Sequence, residues 1–273
     1  MDELRAALAV ARKDIRNVSR YRLSVAASIF TPLYQGVLPA LLFGASFAIG
    51  GRVVGLDQTI GTADLAGFIF LGGVISGLVA TAFWAMAMSF RNEMEAGTLE
   101  PTWLTPTARE TLVLGRALGG MFWFVFGQIA ILSIGVVFFG LRFRLEALYA
   151  LPALAIAAVA LVGVAYLLAG IVLSIRDANL FIDCTNFLFA TASGAAFPVV
   201  LLPGVLQPIA FALPTTYALD ILRQQALGTR PLFDPALEHL ALVATTIVAL
   251  PLGVWVFRAA DRRIRRLGTI NQY

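Results

Sequence analysis

ALYALPALAIAAVALVGVAYLLAGIVLSI, residues 147–175, runs for 29 residues without a charged side chain. A charge at mid-bilayer is costly, and a helix needs about 20 apolar residues to cross roughly 30 Å of hydrocarbon. This stretch is therefore long enough to span a membrane. Five more uncharged runs accompany it, at residues 23–51, 65–90, 117–141, 184–219 and 240–257. The composition agrees: 59% of residues are apolar and 13% charged, about half the charged fraction of a soluble domain. That excludes a soluble enzyme, a disordered chain, a coiled coil and a disulfide scaffold. An all-α integral membrane protein with six transmembrane helices remains.

The rare residues narrow the chemistry. Cys184 is the one cysteine and His239 the one histidine, so internal disulfides and His/Cys metal sites are not expected. Lys13 is the one lysine and follows no glycine run. A phosphate-cradling loop needs lysine after its glycines, so any ATP chemistry is expected on a partner. The spans carry no evident buried carboxylate pair, proton relay or Ser/His/Asp set, which argues against an ion-driven transporter and a membrane hydrolase.

The run 184–219 is too long for one straight span at about 1.5 Å per residue. It holds Pro198, Pro203, Pro208 and Pro214. Residues 184–202 read as a fifth span, and the rest as a broken, re-entrant hairpin before span six; the alternative is an apolar surface loop. Irregular backbone at membrane depth needs protein or water to satisfy it. Asp220, Arg223 and Arg230 then fall beyond the hairpin as external residues.

Six spans place both termini on one side, and fifteen of the twenty basic residues then share that side. The positive-inside rule makes it the cytoplasm. No cleavable signal peptide is expected, because the first apolar run exceeds a signal core. The whole chain reads as one membrane domain: residues 1–22 a cytoplasmic helix, 23–257 the six spans, 258–273 a basic cytoplasmic tail.

Residues 4–18 place Leu4, Leu8, Ala11, Ile15 and Val18 on one helical face. Arg5, Arg12, Lys13 and Arg16 occupy the other. This is the pattern of an amphipathic helix at the membrane surface, or of one packed on a soluble partner. Between spans two and three lies RNEMEAGTLEPTWLTPTARETLVLGRAL, Arg91–Leu118. Residues 91–100 suit a short polar helix stopped by Pro101, with Glu93, Glu95 and Glu100 as an acidic face. A solvated hairpin is the plainer alternative. Thr107-x-x-Glu110 has capping-box spacing and is expected to start span three.

The acidic stretch followed by GTLE and TP resembles the ABC-2 family of ABC transporter permeases. The residues that carry it are Glu93, Glu95, Gly97, Thr98, Leu99, Glu100, Thr105 and Pro106. The N-terminal helix with Arg5, Arg12, Lys13 and Arg16 resembles the family's interface helix. The stretch from Phe197 through Pro198, Pro203, Pro208 and Pro214 to Arg223 resembles its paired prolines before the last span. Pro101 departs from the pattern and would shorten the helix that precedes it. The resemblance implies a permease, not an enzyme, that pairs with a second permease subunit, most simply a second copy. It implies two ATPase subunits per complex, with ATP and Mg held by those partners and no cofactor, metal or nucleic acid bound here. The loop helix would couple to the ATPase, and the prolines would shape the exit region. The expected location is a bacterial inner membrane. The expected cargo is an amphipathic or hydrophobic molecule such as a drug, lipid or glycolipid, or a polysaccharide. The competing readings are a non-transporting membrane scaffold and, behind it, a secondary transporter.

Among the remaining residues, Gln35, Gln128, Thr81, Tyr166 and Asn186 fall inside spans, where polar side chains usually bond a neighbouring helix. Gly73-x-x-x-Gly77 and Gly115-x-x-x-Gly119 allow close helix approach. Cys184 is expected to pack inside, and His239 to sit at the outer interface.

Overall fold

The computed structural model describes residues 2–46, 54–87, 107–172 and 178–267. Among these residues the regular structure is helical and there is no strand. In chain order the helices are α1 (Asp2–Arg20), α2 (Arg22–Pro32), α3 (Leu38–Ser46), α4 (Val54–Ile60), α5 (Leu65–Ala82), α6 (Arg109–Phe139), α7 (Leu151–Val172), α8 (Ala178–Ala192), α9 (Gln207–Ala212), α10 (Pro214–Leu227) and α11 (Pro235–Leu267). A π-turn, Leu33–Val37, joins α2 to α3, and another, Phe83–Ala87, extends α5. A 3-10 turn, Leu145–Ala150, leads into α7.

Among the described residues, four segments are long and apolar enough to cross a membrane: Leu65–Met86, Arg109–Phe139, Leu145–Val172 and Pro235–Arg263. The chain is a membrane protein. The two other expected spans are helical but interrupted. In the first, Pro32 has no N–H to donate, and the π-turn begins at the next residue. The second departs further from expectation. The expected span 184–202 stops at Ala192, where Gly194 turns the chain with φ +82°. The 15-residue α8 is about 22 Å long, short of a bilayer's core. The prolines that follow punctuate short elements: Pro208 and Pro214 stand in the first turns of α9 and α10, where the missing N–H costs no helix bond.

The middle of the bundle is formed by α5 and α7. Ile75, Val79, Phe83, Leu161, Ala165 and Ala169 are fully enclosed. Helices α6 and α11 bury far less of their length, so their apolar sides are left to lipid or a partner. Without water to drive helices together, backbone approach decides packing in a membrane. Helix α11 lies along α7 in this way: a methyl group on Gly163 would sit 2.5 Å from the Ala249 carbonyl oxygen, and one on Gly253 1.8 Å from that of Gly163.

Candidate functional site

The loop expected from the sequence to couple to an ATPase, Glu93 to Pro106, lies outside the described residues. Its re-entry into the bundle is described, and that is where the structure concentrates its polar contacts. Helix α6 begins at Arg109, with Ala108 as its N-cap and no side-chain cap of its own. The first N–H groups of a helix need outside acceptors. The expected capping box is not formed. Glu3 of α1, more than a hundred residues away in the chain, accepts from the Ala108 N–H at 3.3 Å and from the Thr111 hydroxyl at 2.5 Å. The Glu110 carboxylate instead accepts from Arg258 Nε at 2.6 Å on α11.

Two further bonds close the junction. Arg109 pairs with Asp261, both side chains nearly buried. The Tyr166 hydroxyl on α7 donates to the Glu110 carbonyl at 2.6 Å, as expected for a polar group inside a span. The Glu110 carboxyl pairs across a mostly open gap, since Arg258 is 60% exposed, and contributes about 1 kcal/mol or less. The near-buried Arg109–Asp261 pair is costlier to break one-sidedly, at about 3 kcal/mol. One helical turn is thus held by α1, α7 and α11 together, immediately after the loop.

Helix α1 docks here through a glycine seam. A methyl on Gly115 would lie 2.7 Å from the Ala7 carbonyl oxygen and 2.7 Å from Val10 Cβ, and one on Gly119 would lie 3.2 Å from Asp14 Cβ. The second small-residue pattern of the sequence is therefore the cradle for α1. This adjusts the amphipathic reading. At 100° per residue the docked face of Ala7, Val10, Ala11 and Asp14 lies about a quarter turn from the Leu4–Leu8 stripe. Leu4 and Leu8 remain 64% and 54% exposed. Arg5, Arg12, Lys13 and Arg16 are exposed on a third face. Helix α1 thus has three separate faces, one packed on α6, one exposed and apolar, and one exposed and cationic.

The opposite end of the bundle holds the exit-region residues. Phe197 is exposed and Pro198 buried after the Gly194 turn; Pro203 and Pro208 are exposed, and Pro214 is buried. The residue that organises them is Arg223, which is only 5% exposed. Its Nη1 donates to the Gly194 carbonyl at 2.9 Å, and its Nη2 to those of Ala195 at 2.9 Å and Phe68 at 3.0 Å. The guanidinium lies over the Phe68 ring, 3.4 Å from its centroid. A guanidinium keeps its charge at neutral pH. Arg223 therefore clamps the turn after α8 onto α5. Gly72 permits the contact, because a methyl there would meet the Ala195 carbonyl oxygen at 1.9 Å. No sequence signal marks this clamp, since all its acceptors are backbone carbonyls.

Two carboxylates, Asp220 half-buried and Glu238 buried, meet at Gln224 near this end. Gln224 Nε2 donates to Asp220 Oδ2 at 2.8 Å and to Glu238 Oε2 at 2.7 Å, and Glu238 is fully buried. Both carboxylates hold the loop between α10 and α11: Asp220 accepts from the Leu232 N–H and Glu238 from that of Phe233, each at 2.8 Å. Cys184 is exposed rather than packed inside. His239 is exposed, with Nδ1 2.7 Å from the Pro235 carbonyl. Among the described residues, no group of three or more His, Cys, Asp or Glu is placed to hold a metal ion.

The sequence profile of the family described as ABC-2 type transporter matches residues 5–227, from the first turns of α1 to the end of α10. The chain belongs to the ABC-2 type transporter family. Nodulation protein J of Rhizobium leguminosarum bv. viciae is 30% identical over 241 residues, covering 85% of this chain and 87% of that protein. Its namesake from Rhizobium meliloti (strain 1021) is 28% identical over 217 residues, covering 76% and 80%. That of Rhizobium leguminosarum bv. trifolii is 31% identical over 205 residues, covering 67% and 75%. The ABC-2 match includes the α1 seam, the first turn of α6 and the Arg223 clamp. The Arg258 and Asp261 partners on α11 lie beyond it.

Proposed function

We propose that this chain is the membrane-spanning permease subunit of an ATP-driven exporter, working as a homodimer with two separate ATPase subunits. The observation that carries the reading is the junction at Arg109–Thr111. The segment with the GTLE and TP residues leads directly into a helical turn gripped by three other helices. A displacement of that loop is therefore passed to α1, α6, α7 and α11 together. Glu93, Glu95, Gly97, Thr98, Leu99 and Glu100 form the ATPase-facing contact, and Thr105 and Pro106 set the re-entry. ATP and Mg belong on the partner subunits, and this chain performs no hydrolysis.

The membrane path is six passages with both termini in the cytoplasm of a bacterial inner membrane. The two passages beyond the four long spans are the α2–α3 path and α8 together with the segment that follows the Gly194 turn. From Arg22 to Ser46 the first of these has 25 residues, about 37 Å of helix. Segments α9 and α10 form the re-entrant hairpin on the outer side. The cargo class is an amphipathic or hydrophobic molecule: a drug, lipid, glycolipid or polysaccharide.

The test is a gentle-detergent pull-down of the tagged chain with mass spectrometry of what accompanies it. A stoichiometric P-loop ATPase is expected, lost in E93K and E100K while the permease still inserts. Unchanged ATPase assembly in both variants would remove the coupling claim. A chain that purifies alone, where a known ABC complex survives, favours the scaffold reading.

A further inference from the structure

At the end opposite the termini, residues of several helices and loops line a cavity of about 120 Å³. Arg223, Thr229 and Arg230 all line it. Arg223 and Thr229 are 5% and 7% exposed. Although Arg223 uses both terminal nitrogens on the clamp, its Nε meets no hydrogen-bond partner, and neither does the buried Thr229 hydroxyl. Unmet buried polar groups are rare and costly. Both residues line one cavity, with these two atoms closed off from its space, and a ligand that opens the wall would meet them.

The donors are held in place without that ligand. The Arg230 N–H donates to the Ile60 carbonyl at 2.9 Å, and the Arg230 side chain passes beside Gly61. The loop carrying Thr229 and Arg230 is anchored further along by the Asp220 and Glu238 bonds to Leu232 and Phe233. Two guanidinium groups face one lining carboxylate, Asp220, and its Oδ2 already accepts from Gln224 and Leu232. The cavity is therefore cationic.

Its size and walls set the ligand class. A site for a whole drug-sized molecule encloses about 300–1,000 Å³, so this cavity admits a group of a larger molecule. Phe68, Val199, Val200 and Leu219 supply an apolar wall beside the cations. Donors from three residues suit an oxyanion with more acceptor oxygens than a carboxylate's two. We propose that this cavity binds the phosphate group of an amphiphile, with Arg223, Thr229 and Arg230 as the donors. The site stands on its own geometry and does not depend on coupling to an ATPase.

The test uses the full-length protein in neutral detergent, with binding read by native mass spectrometry. The probes are phosphatidylglycerol, diolein as its phosphate-free counterpart, and inorganic phosphate. Arg223 is left intact because it also holds the fold. Phosphatidylglycerol is expected to bind, and R230Q and T229V each to weaken it by about tenfold, the loss of one charge-assisted bond. R142Q removes an exposed charge at the same end that does not line the cavity, and leaves binding unchanged. Phosphatidylglycerol binding without inorganic phosphate binding makes a lipid headgroup the ligand. Binding of both, with the same dependence on Arg230 and Thr229, makes a free or cargo-borne phosphate sufficient. The proposal is overturned if neither phosphate probe binds, if diolein binds equally, if R142Q weakens binding as much as R230Q, or if R230Q and T229V change nothing.

Discussion

Replacing Gly115 by alanine tests the docking of α1. The added methyl would stand 2.7 Å from the Ala7 carbonyl oxygen and from Val10 Cβ, whereas ordinary contact begins at 3.4 Å. Two of the clashing atoms belong to the backbone or sit directly on it, so no rotamer change relieves them. Helix α1 must shift by about 0.7 Å or leave the seam, and forced overpacking of this kind costs about 1–3 kcal/mol. Alanine also raises the helix propensity of α6 by about 1 kcal/mol. That gain cancels in the docking equilibrium, because α6 is helical whether α1 is docked or not. The undocked fraction of α1 therefore rises by about five- to hundredfold.

Trypsin reads that fraction directly. Arg12, Lys13 and Arg16 are exposed on α1, and cleavage of a helix requires local opening. The initial rate of nicking in detergent therefore follows the undocked population while reclosing outpaces cleavage. The expected order is G115A fastest, then G119A, whose methyl meets Asp14 Cβ at 3.2 Å, with G204A at the wild-type rate because nothing lies within 4 Å of it. Equal nicking of G115A and G204A would refute the seam.

Three further outcomes are expected. G72A drives a methyl to 1.9 Å from the Ala195 carbonyl oxygen and lowers the thermal midpoint in detergent further than G115A does. R223M leaves the carbonyls of Gly194, Ala195 and Phe68 without their donor and costs about 3 kcal/mol or more, with R223K recovering part; a midpoint within experimental error of wild type removes the clamp. D261N takes the carboxylate from the nearly buried Arg109 pair and destabilises by about 3 kcal/mol, while E110Q, whose partner Arg258 is largely exposed, stays within about 1 kcal/mol. The E110Q effect vanishes at high salt, where exposed pairs are screened.

The helical membrane class was legible because a bilayer imposes its rule on each segment separately. Uncharged runs of sufficient length need no knowledge of their neighbours. The cations of α1 and the small-residue pattern at Gly115 and Gly119 were legible for the same reason, although their meeting was not. The burial of Arg223 was not legible because local sequence shows it only as a charge near loop residues. Its burial depends on carbonyls from α5 and the turn after α8, and carbonyls leave no mark in sequence. The break at Gly194 was hidden likewise, since an uncharged run looks the same whether it is straight or turned. Thr107 and Glu110 have the spacing of a capping box, but Arg258 takes the Glu110 carboxylate from 148 residues away, and Glu3 supplies the cap. In each case a local pattern lost to a distant partner.

The two polar centres imply a division of the bundle. Helices α7 and α11 are locked backbone to backbone at Gly163 and Gly253, and the junction at Arg109–Thr111 ties α6 and α1 to them. The hairpin end is tied to α5 by Arg223. Between α5 and α6 the contacts are of another kind: Gly77 faces the Gln128 side-chain amide, and Gly120 faces Thr81 and Ala85. Side chains separate these backbones, which suits the small sliding of packed helices. Disulfides distinguish a sliding seam from a locked one. In a C184S background, T81C–G120C joins α5 to α6, where Thr81 Cγ2 lies 3.2 Å from a Gly120 methyl position, and G170C–A260C joins α7 to α11 across 3.4 Å between Cβ positions. The second spacing is near the Cβ separation of a disulfide, and in the first a cysteine Sγ at position 81 can take the place of Thr81 Cγ2. The first bridge is expected to arrest ATP turnover of the assembled complex until it is reduced, and the second to leave turnover intact. Arrest by neither would remove the sliding seam, and arrest by both would show that the α7–α11 seam moves as well.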